Sequence, residues 1–345
     1  MRKSRKTLTQ QIEQAIQDYA PQIRDAFLTA IQGIMDNAIL QDIVDAIGRG
    51  DPIGAFNAMG FSDAAMRPLT KMIETAFEAG GIIVASSFPR ILNTPVGRTV
   101  FQFDVRNSRA EAWLRDHSGS LITRIRQDTL EAARNVMTDG MAAGRNPRST
   151  ALDLVGRINP LTGKREGGIV GLTPQQERWV AAARKDLEEL NENYFNRKLR
   201  DRRFDSVVRK AIEAEEELDA ATIDKLVSRY KDSVLQYRGE TIARTEAIQS
   251  LNKAAVETFQ QVIDAGALKS SDVKRVWQSS GDDGRTRETH LEMDGQEVGM
   301  DEPFVAPEGD RLMFPGDTAL GADPSETINC RCRVQIKVDW MANVR

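Results

Sequence analysis

The sequence predicts an α+β protein in which an elongated, mostly α-helical body carries a small C-terminal α+β domain. Before Gly266, apolar residues recur at spacings of three and four, which is the period of amphipathic helices. After Gly266 they alternate with polar residues, and Gly and Pro become dense. That second texture is typical of short strands joined by ordered loops.

The N-terminal region predicts helices separated by glycine and proline. Residues 7–47 predict one helix whose apolar side chains share a face, and Pro21 is expected to kink or split it. Residues 53–88 predict shorter helices. The segment 89–97, which contains two prolines and a glycine, marks a break and a first candidate domain boundary.

The middle of the chain predicts further long helices. Residues 107–144 resume the helical period, and a glycine-rich loop spans 156–171. Thr173 then has the features of an N-cap, with Pro174 in the first turn and Gln176 completing a capping box.

Two more helices and a small terminal domain complete the prediction. One helix is expected to open at Ala221, and the next to run from about residue 241 to 265, with Gly266 just beyond its end. Alternating patterns at 273–277 and 334–338 predict strands. We therefore divide the chain into a helical region at 1–95, a helical body at 96–268 and a compact domain at 269–345.

Composition and charge restrict the possible functions. The formal net charge is −4, and residues 271–345 carry 9 Lys/Arg against 15 Asp/Glu, which is −6. This balance gives no support to a nucleic-acid binder that relies on bulk positive charge. The basic N-terminus lacks the apolar segment of a signal peptide, and no apolar run approaches a membrane span. The two cysteines are two positions apart, which fits a reducing compartment better than a disulfide.

A basic run offers a local exception to the overall charge. It comprises Arg197, Lys198, Arg200, Arg202 and Arg203. Contact with DNA is one interpretation. The alternative is a charged helix face that pairs with nearby acids, and it is favoured because no aromatic residues are interleaved for base stacking.

The last quarter of the chain concentrates residues that could bind a metal. His290, Cys330 and Cys332 are suitable zinc ligands, and Asp282 or Asp283 could supply a fourth. Residues i and i+2 of a strand share a face, so both thiols could converge. Cys-x-Cys is not the usual Cys-x2-Cys spacing, which weakens the zinc interpretation.

Two other interpretations of these residues stay open. His290 and a cysteine could form a catalytic pair oriented by an aspartate, although no oxyanion loop is recognisable. Alternatively, the polar residues satisfy loop backbone groups while the cysteines fill small apolar spaces. His117 has no such context, and a surface turn explains it.

The order of the motifs resembles the Mu F-like phage head morphogenesis family, also called minor head or minor capsid proteins. The resemblance is strong from about residue 241 to 338 and fainter over 100–240, and residues 1–95 carry no motif of the family. The residues that carry it are Arg244, Glu246, Trp277, Asp283, Arg285, Arg287, His290, Asp294, Gly295, Pro315, Asp317, Asn329, Cys330 and Cys332.

The resemblance implies a structural, non-enzymatic virion component of a tailed phage. Such proteins lie inside the capsid or at the portal vertex, bind the portal protein, and assist head morphogenesis and in some cases DNA packaging or ejection. Expected partners are the portal protein, the major capsid or scaffolding protein and packaged DNA, without a membrane. The protein would pass through the bacterial host cytoplasm during assembly. No catalytic residue and no cofactor is implied, zinc remaining the alternative. Arg244 and Glu246 would be structural, and either could pair with the terminal domain.

Overall fold

The computed structural model describes residues 6–339, and helices dominate it. The α-helices are α1 (Leu8–Asn37), α2 (Leu40–Gly48), α3 (Pro52–Ala58), α4 (Arg67–Ala85), α5 (Ser108–Ala142), α6 (Pro147–Val155), α7 (Pro174–Glu188), α8 (Asp205–Ala214), α9 (Ala220–Asp264), α10 (Glu288–Glu292) and α11 (Pro324–Thr327). Short 3-10 turns lie at Glu192–Asn196, Arg202–Phe204 and Ser270–Asp272. Together with the short strands that follow, they confirm the predicted α+β class.

The strands form small antiparallel sheets. They are β1 (Ile91–Thr94), β2 (Gly97–Val100), β3 (Arg157–Ile158), β4 (Arg165–Glu166), β5 (Val273–Gln278), β6 (Glu297–Gly299), β7 (Phe304–Val305), β8 (Arg311–Leu312) and β9 (Arg333–Val338). Three of them form a sheet in the order β6-β5-β9, in which Trp277 of β5 lies opposite Val334 of β9. The remaining strands pair as the hairpins β1–β2, β3–β4 and β7–β8. The strands predicted at 273–277 and 334–338 are thus confirmed.

Local sequence signals explain several helix ends. The Thr173 side chain accepts a hydrogen bond from the Gln176 backbone N–H at 3.1 Å, and the Gln176 side chain accepts from the Thr173 N–H at 3.1 Å, as the capping box predicts. Gly266 follows α9 with φ 74°, a left-handed conformation that glycine adopts without steric cost. Pro21 lies inside α1 and does not end it.

Helix α9 differs from the prediction, because one 45-residue helix replaces the two that were expected. Gly239 lies between the two predicted patterns, but a single glycine in a helix costs only about 1 kcal/mol. Its neighbour Arg238 is buried and donates a hydrogen bond to Asp128 of α5 at 2.7 Å. Buried contacts on this stretch outweigh the low helix propensity of the glycine.

The chain divides into two compact units, each built from separated segments. The first comprises the described residues of Met1–Asp25, Leu69–Ser118 and Glu240–Arg345, and the second comprises Ala26–Pro68 and Gly119–Gly239. These units do not follow the chain in sequence, because long helices such as α5 and α9 contribute residues to both. The predicted domains at 1–95, 96–268 and 269–345 are continuous segments of the chain, and that division stays a prediction.

The first unit contains an apolar core in which α4 packs closely against α9. Leu251, Phe259 and Val262 of α9 are buried there with Val84 of α4. A Cβ atom at Gly80 would lie 2.9 Å from Leu251 Cδ2 and 3.3 Å from the Leu251 Cα. Glycine at position 80 thus permits an approach that a larger residue would prevent.

No helix among residues 6–339 is long and apolar enough to cross a membrane.

In the second unit, burial disfavours the charged form of the Asp232 carboxyl group on α9. Its Oδ1 accepts a hydrogen bond from the Gly167 backbone N–H at 2.8 Å. Burial raises its pKa from 3.8 to about 6, although the Gly167 bond acts in the opposite direction. A pKa raised on folding gives stability that is complete below pH 3.8 and is lost as the pH rises through about 6.

We therefore expect Asp232→Asn to stabilise the protein above neutral pH. The amide oxygen can still accept from Gly167, and no buried charge forms. The free energy of unfolding should rise by about 1–2 kcal/mol at pH 7.5, with a smaller gain at pH 5. Urea titrations at both pH values measure this. The control Glu240→Gln, exposed on the same helix, should change stability by less than about 0.5 kcal/mol. A gain that does not depend on pH would contradict the argument.

Candidate functional site

Most of the residues that sequence analysis singled out lie in residues 269–339, which we call the C-terminal module. Its small core contains Trp277, Phe304, Cys330 and Cys332 together with Met293 and Leu312. The Trp277 ring is fully buried and meets His290 edge-on, with 5.1 Å between ring centroids, and Phe304 at 5.4 Å. Aromatic contacts of this geometry contribute beyond the burial of area alone.

His290, Cys330 and Cys332 come together inside this core, and we call them the Cys/His cluster. His290 Nδ1 lies 3.7 Å from Cys330 Sγ and 3.4 Å from Cys332 Sγ. Each of the three residues is 1% exposed. Their ligand atoms lie within 4.8 Å of one another, so the three together could hold a metal ion.

The two thiols influence each other's ionisation. The hydrogen bond between them, together with burial, raises the pKa of Cys330. The same hydrogen bond lowers the pKa of Cys332, which the neighbouring His290 lowers further while burial opposes both. The environment thus favours a single thiolate in the pair and disfavours a second one.

A carboxylate that sequence analysis missed lies on the other side of the histidine. Glu326 Oε2 is 2.8 Å from His290 Nε2, off the direction of the ring N–H, so the contact is electrostatic rather than a well-aligned hydrogen bond. Thr289 Oγ1 donates to the Glu326 carboxylate at 3.1 Å, and Glu326 is itself buried. The only sequence signal was an acidic residue shortly before Cys330.

Asp283, predicted as a metal ligand, is instead exposed on a loop. Its Oδ2 pairs with Arg331 at 2.9 Å, and its Oδ1 accepts from the Arg285 backbone N–H at 3.0 Å. The backbone hydrogen bond from Arg285 is the largest cause of its lowered pKa. Arg285 and the neighbouring Asp282 are exposed on the same loop. The ligand atoms of His290, Cys330 and Cys332 therefore come together without a ligand from this loop.

Several motif residues hold loop backbone in place. Asp294 Oδ1 accepts from the Ser279 N–H at 2.7 Å. Asp317 accepts from the N–H groups of Met313 at 2.9 Å and Ala319 at 3.0 Å. Gly295 has φ 78°, and its N–H donates to the Trp277 carbonyl at 2.8 Å. Arg287 donates to the Ile328 carbonyl. These contacts match the interpretation in which polar residues satisfy loop groups.

Three polar side chains of α9, which we call the anchor residues, join the helix to the module. They are Thr245, Gln249 and Asn252, spaced by four and three so that they share a helix face. Thr245 Oγ1 accepts from the Asn329 N–H at 3.0 Å, and Gln249 donates to the Gly316 carbonyl. All three are buried.

Asn252 makes the largest number of these contacts. Its Nδ2 donates to the carbonyls of Pro315 at 3.0 Å and Cys332 at 3.2 Å, and its Oδ1 accepts from the Val334 N–H at 3.0 Å. Sequence reasoning missed the anchor residues, although polar residues interspersed with Ile248 and Leu251 on the inward side of a helix were a visible signal.

Either Arg244 or Glu246 was expected to pair with the terminal domain. Glu246 does not make that connection. Glu246 Oε2 contacts His117 Nε2 of α5 at 2.5 Å, and Arg244 is exposed. His117 is correspondingly not in a surface turn. It lies within α5, mostly buried, with its ring stacked on Trp113 at 4.5 Å between centroids.

Three of the five basic residues of the run at 197–203 form internal ion pairs, and the run does not lie on a helix face. Arg197 pairs with Asp186 at 2.6 Å, Arg200 with Asp205 at 2.8 Å, and Arg203 with Asp201 at 2.6 Å. Lys198 and Arg202 are exposed. The pairing with nearby acids was predicted, but the run forms turns and 3-10 segments instead of a helix.

Comparison with known proteins finds a family match within the chain. Residues 205–335 match the family described as "Phage Mu protein F like protein", which confirms the predicted resemblance over that segment. The chain is also similar to the "Uncharacterized protein YqbB" of Bacillus subtilis (strain 168), with 34% identity over 104 residues. That match covers 30% of this chain and 31% of the relative, so the chain spans about a third of it. No solved structure matches.

Asn252→Ala should destabilise the protein, because it removes three hydrogen bonds and leaves the carbonyls of Pro315 and Cys332 and the N–H of Val334 without this partner. We expect a loss of about 2–4 kcal/mol in the free energy of unfolding, measured by urea titration with circular dichroism. Arg244→Ala, exposed on the same helix, should lose less than about 0.5 kcal/mol. Equal effects of the two variants would show that the anchor contacts do not stabilise the fold.

Proposed function

We propose that this protein is a minor head protein of a tailed phage, located inside the capsid or at the portal vertex, where it binds the portal protein and assists head assembly. The observation that carries the proposal is the family match over residues 205–335, which includes α9 and nearly all of the C-terminal module. The major capsid or scaffolding protein is a further partner in this proposal. Roles in DNA packaging or ejection would follow from a position at the portal.

The buried state of the Cys/His cluster supports a structural rather than an enzymatic role. At 1% exposure, His290, Cys330 and Cys332 could not meet a substrate unless the module opened. The polar residues around the cluster bind loop backbone groups, as Asp294 and Asp317 do. A catalytic centre needs reactive groups within reach of the atoms that react. The unusual residues of the module therefore support a scaffold of fixed shape.

Ion pairing weakens the alternative in which the protein acts by contacting DNA. Arg197, Arg200 and Arg203 each already pair with a carboxylate of this chain. Phosphate binding by these arginines would have to displace those partners. An interaction with another protein therefore has more support than one with DNA through residues 197–203.

Two hairpins carry exposed apolar side chains that suit contacts with another protein. Val96, in the turn between β1 and β2, is 92% exposed, and Leu161, between β3 and β4, is 93% exposed. Exposed single apolar residues are common. At hairpin turns, however, they can enter a partner's pocket without disturbing the core of either unit.

Co-expression with the portal protein of the same phage tests the proposal. We expect the two proteins to elute together in size-exclusion chromatography at low and moderate salt. Separate elution at both salt concentrations would refute portal binding.

Replacement of the exposed apolar residues tests which surface is used. Val96→Ser combined with Leu161→Ser should lower the affinity for the portal protein by about tenfold or more, because apolar contact area is lost, without changing the melting temperature. Ile53→Ser, which alters an apolar residue of α3 that is 54% exposed, serves as the matched control and should leave the affinity unchanged. If the control and the double variant weaken binding equally, neither hairpin turn contacts the portal protein specifically.

A further inference from the structure

We propose that the Cys/His cluster binds one zinc ion, with His290 Nδ1, Cys330 Sγ and Cys332 Sγ as its protein ligands. These three atoms belong to two separate segments, α10 and the turn before β9, yet they face one another in the core of the C-terminal module. Two thiolates and an imidazole are a donor set that zinc prefers, and a tetrahedral ion bound to them keeps one further position.

The two distances from His290 Nδ1 to the sulfur atoms agree with a tetrahedral zinc site. With Zn–S of about 2.3 Å and Zn–N of about 2.05 Å, tetrahedral angles separate a sulfur and a nitrogen ligand by about 3.6 Å. The two Sγ–Nδ1 distances here are 3.7 and 3.4 Å, one on each side of that value. An ion can therefore enter the cluster without large movement of the ligand side chains.

Hydrogen bonds alone leave part of the bonding capacity of these three donor atoms unused, whereas a metal ion does not. In the tautomer of neutral histidine that carries its proton on Nε2, Nδ1 has one lone pair and accepts one hydrogen bond, yet two sulfur atoms lie beside it. A metal ion uses the lone pairs of all three atoms at once. Binding exchanges the thiol protons for the ion, and two thiolates cancel its two positive charges, so no net charge is buried.

The surroundings of the cluster resemble those of metal ligands. Glu326 lies against the outer nitrogen of His290 at 2.8 Å and is itself held by Thr289. Carboxylates commonly lie in this place behind a zinc-bound histidine. The Cys332 backbone N–H also donates to Cys330 Sγ at 3.4 Å.

The position of the cluster indicates a structural ion. It would join α10 to the start of β9, which lie about forty residues apart in sequence, inside a module with little helical content of its own. A metal ion can provide this cross-link in a compartment where disulfides do not persist.

Metal analysis of the full-length protein, expressed in zinc-supplemented medium, tests the proposal. We expect about one zinc per chain by mass spectrometry, released when a mercurial reagent blocks the thiols. Replacement by Co²⁺ should give the intense visible absorption of tetrahedral cobalt with thiolate ligands. Protein that contains no zinc and shows no such spectrum with Co²⁺ would overturn the proposal, and this measurement needs no variant that could misfold.

Variants then identify the ligands. Cys332→Ser and His290→Ala should each reduce bound zinc to less than about 0.2 per chain, whereas Asp283→Ala, on the exposed loop, should retain about one. If Cys332→Ser retains zinc, or Asp283→Ala loses it, the ligand set is wrong. Zinc content is measured without the portal protein, so failure of portal binding and failure of this proposal are separate results.

Discussion

The C-terminal module depends on the buried hydrogen bonds that α9 makes to its loops. A module of short strands cannot satisfy its own backbone groups through a large sheet, so many of its carbonyls and N–H groups need other partners. Thr245, Gln249 and Asn252 supply such partners from a continuous helix whose geometry is regular. A long helix fixes the spacing of these side chains, and that spacing in turn fixes the loops that carry Asn329 and Pro315.

Arg275 performs a similar task from inside the module. It lies on the central strand β5 and is fully buried, with its guanidinium donating to the carbonyls of Gly299, Met313 and Glu302. Burial lowers its pKa to about 10, which still leaves the group charged at neutral pH. The five donors of a guanidinium can serve several loop carbonyls at once, a task that an apolar residue of similar size could not perform.

Periodicity predicted the helices, the terminal strands and the α+β class, because each of these depends on residues close together in sequence. The capping box at Thr173 was predictable for the same reason. The anchor contacts were not, since the backbone groups that Thr245, Gln249 and Asn252 reach lie 63 to 84 residues away. Convergence of His290 with the two cysteines was foreseen from residue type, but the exposure of Asp283 and the place of Glu326 depend on how the loops fold.

Cys332 connects the two systems that shape the module. Its thiol faces His290 at 3.4 Å, while its carbonyl accepts a hydrogen bond from Asn252 of α9 at 3.2 Å. The segment from Asn329 to Val334 is thus held through its side chains by the Cys/His cluster and through its backbone by the anchor residues. Contacts that share a residue are energetically coupled rather than independent. The chemical state of the cluster, whether metal-free or metal-bound, therefore bears directly on how firmly α9 holds the loops.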